Sequence, residues 1–126
     1  MDKISTDKAP SAIGPYSQAV RAGQFVFCSG QIGIDPATGK FIGADIESQT
    51  RQAMQNLRSV LTAARLDLNH VAKTTIFLVN LEDFSSVNEI YSAEFGDHKP
   101  ARATVQVAGL PLGALIEIEC VAYTPK

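Results

Sequence analysis

Apolar positions along the chain recur with two different periods, and the switches between them mark out the elements. Residues Ser17 to Arg21 and Gln24 to Ser29 are strand-like and flank Ala22-Gly23, a two-residue turn signal that predicts a hairpin. A third short strand is expected over Gln31 to Ile34. It should break at Asp35-Pro36-Ala37-Thr38-Gly39, where proline fixes φ and glycine supplies a positive one. From Asp45 to Arg65 the period changes: Ala53, Leu57, Val60, Leu61 and Ala64 fall on one stripe of an α-helix. Val71 to Val79 is rich in β-branched residues and reads as a central strand buried on both faces. Glu82 to Phe95 sets Phe84, Val87, Tyr91 and Phe95 on a second helical stripe, and Gly96 follows where a left-handed residue ends a helix.

Two last strands are predicted at Arg102 to Val107 and Ala114 to Tyr123, joined by a segment with two glycines and a proline. The order is therefore βββ-α-β-α-ββ, an α+β (mixed α/β) fold with two helices packed on one face of a mixed six-stranded sheet. In the last strand Ile116, Ile118, Cys120 and Ala122 point one way, toward the helices; Glu117, Glu119, Val121 and Tyr123 point the other. That second face is mixed enough to suit an interface with polar pockets. Ahead of the strands, Ala9 to Pro15 carries two prolines and a glycine and should run as an irregular or extended arm.

Composition narrows the classes. The 126 residues, 45% of them hydrophobic, suit one domain, residues 1 to 126, and show no repeat or low-complexity tract. Eleven basic against 13 acidic residues give a net charge of -2, without the basic stripe that a phosphate backbone requires, so nucleic acid is not an expected partner. The opening MDKISTDKAP lacks the basic and apolar regions of a secretory signal, and no apolar run approaches a membrane span, so a cytoplasmic protein is expected. Cys28 and Cys120 lie in apolar strand-like runs, where a free thiol behaves as a small buried hydrophobe. His70 and His98 have no cysteine or carboxylate at metal-ligand spacing, so no metal site is expected.

One pair stands out chemically. Arg102, Thr104 and Gln106 share a strand face, and a hairpin of the last two strands centred between Gly109 and Leu110 would set Arg102 directly across from Glu117. The pair then has two readings. It can be a cross-strand salt bridge, worth about 0.2–1 kcal/mol. Alternatively, the rigid guanidinium fork takes a small carboxylate while the glutamate holds a water. Tyr16 and Ser29 each offer a hydroxyl to a ligand, although a tyrosine after Gly14-Pro15 also serves as packing and a serine before Gly30 as a turn residue. Asn88 is equally readable as a local hydrogen-bonding residue of its helix.

The motifs Gly14-Pro15-Tyr16-Ser17-Gln18-Ala19, Ser29-Gly30-Gln31, Pro100-Ala101-Arg102-Ala103-Thr104, Leu110-Pro111 and Ile116-Glu117-Ile118-Glu119 resemble, in order, those of the RidA (YjgF-like) reactive intermediate deaminases, from about Thr6 onward. The resemblance implies a chorismate-mutase-like fold, a homotrimer with three clefts between adjacent subunits, and hydrolysis of 2-imino acids such as 2-iminobutanoate and 2-iminopropanoate without a cofactor. It implies that Arg102 binds the substrate carboxylate and that Glu117 positions the water. Tyr16, Ser29 and Gly30 would contribute to the cleft, and Asn88 matches a recurrent family position. Many relatives carry cysteine where this chain has Thr104; a backbone N–H contact to ligand there would survive, while the shape and polarity of the pocket would change.

The chemistry asked of such a site is modest, because a protonated imine carbon already attracts water. The site has to fix the carboxylate, hold water about 3–3.5 Å from the carbon and assist proton transfer. Two other classes of function fit the same fold: a sensor that binds a small carboxylate without turnover, and a chaperone-like holding protein whose exposed apolar surface binds clients. A second negative charge beside the arginine favours catalysis over simple carboxylate binding.

Overall fold

The computed structural model describes residues 1–125. Its strands are β1 (Asp2–Ile4), β2 (Ala19–Ala22), β3 (Phe25–Gln31), β4 (Ile34–Asp35), β5 (Lys40–Phe41), β6 (Val71–Leu78), β7 (Ala101–Gln106) and β8 (Ile116–Tyr123); its helices are α1 (Ile46–Ala63) and α2 (Phe84–Phe95). Six strands form one mixed sheet in the order β1-β2-β3-β8-β6-β7, with β6 and β7 parallel and every other pair antiparallel. Both helices cover one face, as the periodicity predicts.

The helices are bounded by the chemistry read from the sequence. Asp45 caps α1, its carboxylate accepting from the Ser48 N–H at 2.9 Å. The stripe Ala53, Leu57, Val60, Leu61 and Ala64 is buried against the sheet. A short 3₁₀ turn over Leu81–Asp83 precedes α2, so this helix starts two residues later than Glu82, and Gly96 ends it with φ 64°. The β2–β3 hairpin turns at Gly23, whose φ is 60°.

Several expectations require correction. Strand β1 pairs with β2 at an edge of the sheet and carries no strong alternation to reveal it. The third strand expected over Gln31 to Ile34 is divided: Gln31 ends β3, and Ile34 opens the small β4–β5 ribbon closed by the Asp35 to Gly39 turn. The chain leaves the main sheet here because α1 satisfies its carbonyls instead. The Asn56 side-chain amide, buried, donates to Ile32 O at 3.0 Å and Ile34 O at 2.9 Å. Strand β6 is central, yet Thr74, Ile76 and Leu78 are buried whereas Thr75 and Phe77 on its other face remain half-exposed.

The largest correction concerns the last two strands, which are not a hairpin. Strand β7 pairs in parallel with β6, and β8 lies on the opposite side of β6. The connection from Val107 to Leu115 crosses the end of β6, with Val107 N–H donating to Leu78 O at 2.8 Å and Val79 N–H to Leu115 O at 3.3 Å. A connection this long does not enforce a hairpin.

The face of the sheet away from the helices is open. Phe25, Phe27, Tyr123 and Val105 are 45%, 48%, 43% and 41% exposed there, and the Phe25 and Tyr123 rings meet edge to face at 5.5 Å. So much contiguous aromatic surface marks a face suited to association.

Candidate functional site

The corrected topology separates the two residues expected to act together. Arg102 lies opposite Thr74 in the β6–β7 register, and Glu117 opposite Phe77 in the β6–β8 register. Thr74 faces the helices and Phe77 the open side, so Arg102 and Glu117 project from opposite faces of the sheet. Two strand spacings and an offset of three residues also put their backbones on the order of 14 Å apart. One chain therefore carries two candidate half-sites, and the direct Arg102–Glu117 pairing is overturned.

The first half-site is built by α2 over the edge strand β7. Phe84, Asn88 and Tyr91 follow one another at helical spacing and converge on Arg102. Its Nη1 donates to Asn88 Oδ1 at 2.7 Å, and its guanidinium carbon lies 5.1 Å from the Phe84 ring centre and 4.9 Å from that of Tyr91. Among the described residues no carboxylate lies within ion-pair distance of Arg102. Behind it opens a recess of about 350 Å³, lined in part by Asn88, Ser92, His98, Lys99 and Arg102. Burial pushes the Tyr91 hydroxyl pKa up, against the opposing effects of a bond to Thr74 and of the arginine charge. Thr104, two residues along the same strand face, has a buried Oγ1 without a hydrogen-bond partner among the described residues.

The second half-site gathers Ser29, Gly30 and Glu117 around the β3–β8 pair, and Tyr16 immediately precedes Ser17, whose carbonyl accepts from Ser29. Between Cys28 and Gln31 the register shifts, so that Ser29 and Gly30 oppose the single residue Glu119. Such a bulge re-aims side chains locally. Glu117 lies directly over Gly30: a Cβ on that glycine would fall 2.6 Å from Glu117 Cδ and 2.7 Å from Oε2. Ser29 is oriented by its Oγ donating to Ser17 O at 2.6 Å and by its N–H donating to Gln18 O at 2.9 Å. Tyr16 is 54% exposed, its N–H bonded to Gly14 O. Burial raises the Glu117 pKa, and the neighbouring Glu119 charge raises it further, so this carboxyl holds its proton to a higher pH than an ordinary glutamate.

Three supporting residues have no counterpart among the candidates drawn from the sequence. Phe84 and Tyr91 were legible only as members of a core stripe. Gln18 is buried; its Oε1 accepts from Thr6 N–H at 2.7 Å and its amide donates to Pro10 O at 2.7 Å. It thereby ties the N-terminal arm down beside Tyr16. In the sequence it stands out only as a member of the motif Gly14-Pro15-Tyr16-Ser17-Gln18-Ala19.

The half-sites together offer an unpaired guanidinium for a carboxylate and a glutamate able to take up a proton. The family described as Endoribonuclease L-PSP matches residues 6–124. A human relative named 2-iminobutanoate/2-iminopropanoate deaminase is 50% identical over 119 residues, covering 94% of this chain and 87% of its own. The structure of E. coli TdcF with bound serine superposes with a TM-score of 0.95 at 41% identity, covering 99% of this chain and 100% of that one. The E. coli YjgF gene product does so with a TM-score of 0.94 at 42% identity and the same coverage.

Proposed function

The chain belongs to the Endoribonuclease L-PSP family, and on that premise we propose that it is a deaminase hydrolysing 2-imino acids, 2-iminobutanoate and 2-iminopropanoate among them, to 2-keto acids and ammonia. The observation that carries this reading is the exposed guanidinium of Arg102, set by Asn88 and two aromatic rings and without a carboxylate at ion-pair distance among the described residues. A planar fork without a protein carboxylate is matched to a ligand carboxylate.

Because Arg102 and Glu117 project from opposite faces of one sheet, a site using both on one small substrate has to take them from two chains. A homotrimer with clefts between adjacent subunits meets that requirement, and the half-exposed aromatic face of the sheet supports it. In such a cleft Arg102 holds the carboxylate, with Asn88 and Thr104 beside it, and Tyr16, Ser29 and Gly30 border the imine. Glu117 accepts a proton from water as the water oxygen bonds to the imine carbon. The resulting carbinolamine receives that proton on nitrogen, its C–N bond breaks, and ammonia leaves as the carbonyl forms and the hydroxyl proton passes back to the Glu117 carboxylate. No step calls for a cofactor. A cytoplasmic location fits two free, buried thiols; no helix among the described residues is long and apolar enough to cross a membrane.

Ribonuclease activity, which the family description suggests, is the poorer fit to a chain with 13 acidic against 11 basic residues. The deciding experiment generates 2-imino acids in situ from amino acids with an oxidase and traps what remains with semicarbazide. Wild-type protein should shorten the life of the imine, and Arg102→Ala and Glu117→Gln should each abolish the effect while the assembly persists. No acceleration for any substrate, with carboxylate binding retained, would favour the sensor; client binding that survives Arg102→Ala would favour the holding protein.

A further inference from the structure

Arg102 does not stand alone on its strand: a hydrogen-bonded path connects the ring beneath it to the centre of the sheet. Tyr91, buried, places its ring 4.9 Å below the guanidinium carbon, and its hydroxyl lies 2.7 Å from Thr74 Oγ1. Thr74 is itself fully buried and is the direct register partner of Arg102 on β6. Strand β6, paired directly with the strand that carries the arginine, is thus locked, side chain to side chain, to the helix face on which the guanidinium rests. Phe84 on the same helix closes the other ring contact at 5.1 Å, and Asn88 Oδ1 takes one N–H.

We propose that Tyr91, pinned by Thr74, is a positioning residue that sets the guanidinium of Arg102 in the plane in which it meets the substrate carboxylate, with Phe84 as the second wall of the clamp. This rests on the deaminase reading and extends it to the residues that hold the arginine in place. An arginine side chain free in solvent samples many rotamers, and each bond it forms to a ligand costs ordering. Two ring contacts and one hydrogen bond remove much of that freedom beforehand. Asn88 occupies one of the five N–H donors, and the rest of the fork remains for a carboxylate. A tyrosine suits this place better than phenylalanine because its far end can be anchored; a free ring could turn with the arginine instead of holding it.

Positioning of a group that binds the carboxylate equally in the ground and transition states changes KM and leaves kcat nearly unaltered. Removing the Tyr91 ring contact should weaken carboxylate binding by about fivefold. The decisive comparison is binding of 2-oxobutanoate and of its neutral amide, 2-oxobutanamide, to wild type, Tyr91→Leu, Tyr91→Phe and Thr74→Val, alongside the imine assay. In Tyr91→Leu, 2-oxobutanoate should bind about fivefold more weakly, the amide as before, and KM should rise with kcat within about twofold.

Tyr91→Phe and Thr74→Val break the same bond, so their effects on 2-oxobutanoate affinity should not add when combined. These two near-isosteric variants carry the test if Tyr91→Leu does not fold. Equal weakening of both ligands, or a lower melting temperature with unchanged 2-oxobutanoate affinity, would reduce Tyr91 to a core residue and overturn the proposal. A wild-type protein that binds 2-oxobutanoate through Arg102 yet hydrolyses no 2-imino acid would instead overturn the deaminase reading, and the ligand comparison would still decide the clamp.

Discussion

Substituting Gly30 by alanine tests the placement of Glu117 more sharply than removing the glutamate does. The new Cβ would fall 2.6 Å from Glu117 Cδ, 2.7 Å from Cγ and 2.7 Å from Oε2, against about 3.5–4.0 Å for carbons in contact. The carboxyl therefore has to retreat by roughly 1 Å. Gly30 does not have a positive φ, so alanine adopts its backbone without strain. Overpacking costs about 1–3 kcal/mol, and the mobile end of a glutamate places this case near 1 kcal/mol, or about 4 °C in melting temperature for a domain of this size. A shift of 1 Å in a group that positions water costs about a hundredfold in rate, equivalent to about 2.7 kcal/mol of barrier. Gly30→Ala should therefore lose far more activity than stability.

The control for that experiment is Gly23→Ala. Gly23 has φ 60° and nothing within 4 Å of a new Cβ, so the variant should lose about 1 kcal/mol to strain and keep its activity. Imine-trapping rates and thermal melts of the two variants suffice. A Gly30→Ala protein whose kcat/KM stays within about twofold of wild type, where a hundredfold loss is expected, would show that Glu117 does not act from the position over Gly30.

Three further outcomes follow from the same geometry. Burial and the Glu119 charge raise the pKa of Glu117 above the ordinary 4.5, so the folded protein binds its proton more tightly than the unfolded chain. The stability this contributes is present below the unfolded value and is lost as pH rises through the folded one. Urea midpoints measured upward from about pH 4 should carry this fall, Glu117→Gln should lack it, and the acid limb of kcat/KM should lie above the ordinary glutamate range. Thr104→Val removes a buried hydroxyl that has no partner and should raise stability by about 1 kcal/mol in denaturant titration. If that hydroxyl meets a ligand, kcat/KM falls in the same variant. Asn56→Leu strips the carbonyls of Ile32 and Ile34 of their donor and should cost about 2–4 kcal/mol, measured the same way, without selective loss of carboxylate binding.

Side-chain period proved a reliable guide to faces and a poor one to partners. The alternation in β8 correctly divides Ile116, Ile118, Cys120 and Ala122 from Glu117 and Glu119, and that in β7 keeps Arg102, Thr104 and Gln106 together. Neither pattern says that β6 lies between the two strands, because alternation within a strand is the same whichever neighbour it pairs with. Sequence adjacency suggested the hairpin, and the hairpin placed Arg102 beside Glu117. Once β6 is inserted, the two residues fall on opposite faces, and a site that uses both needs a second copy of the chain. A helical stripe has the matching blind spot. Phe84, Val87, Tyr91 and Phe95 all read as core, and Val87 and Phe95 are buried as expected. Phe84 and Tyr91 also hold the guanidinium, a second role that hydrophobicity cannot signal because an aromatic ring serves apolar packing and a cation through different parts of its surface.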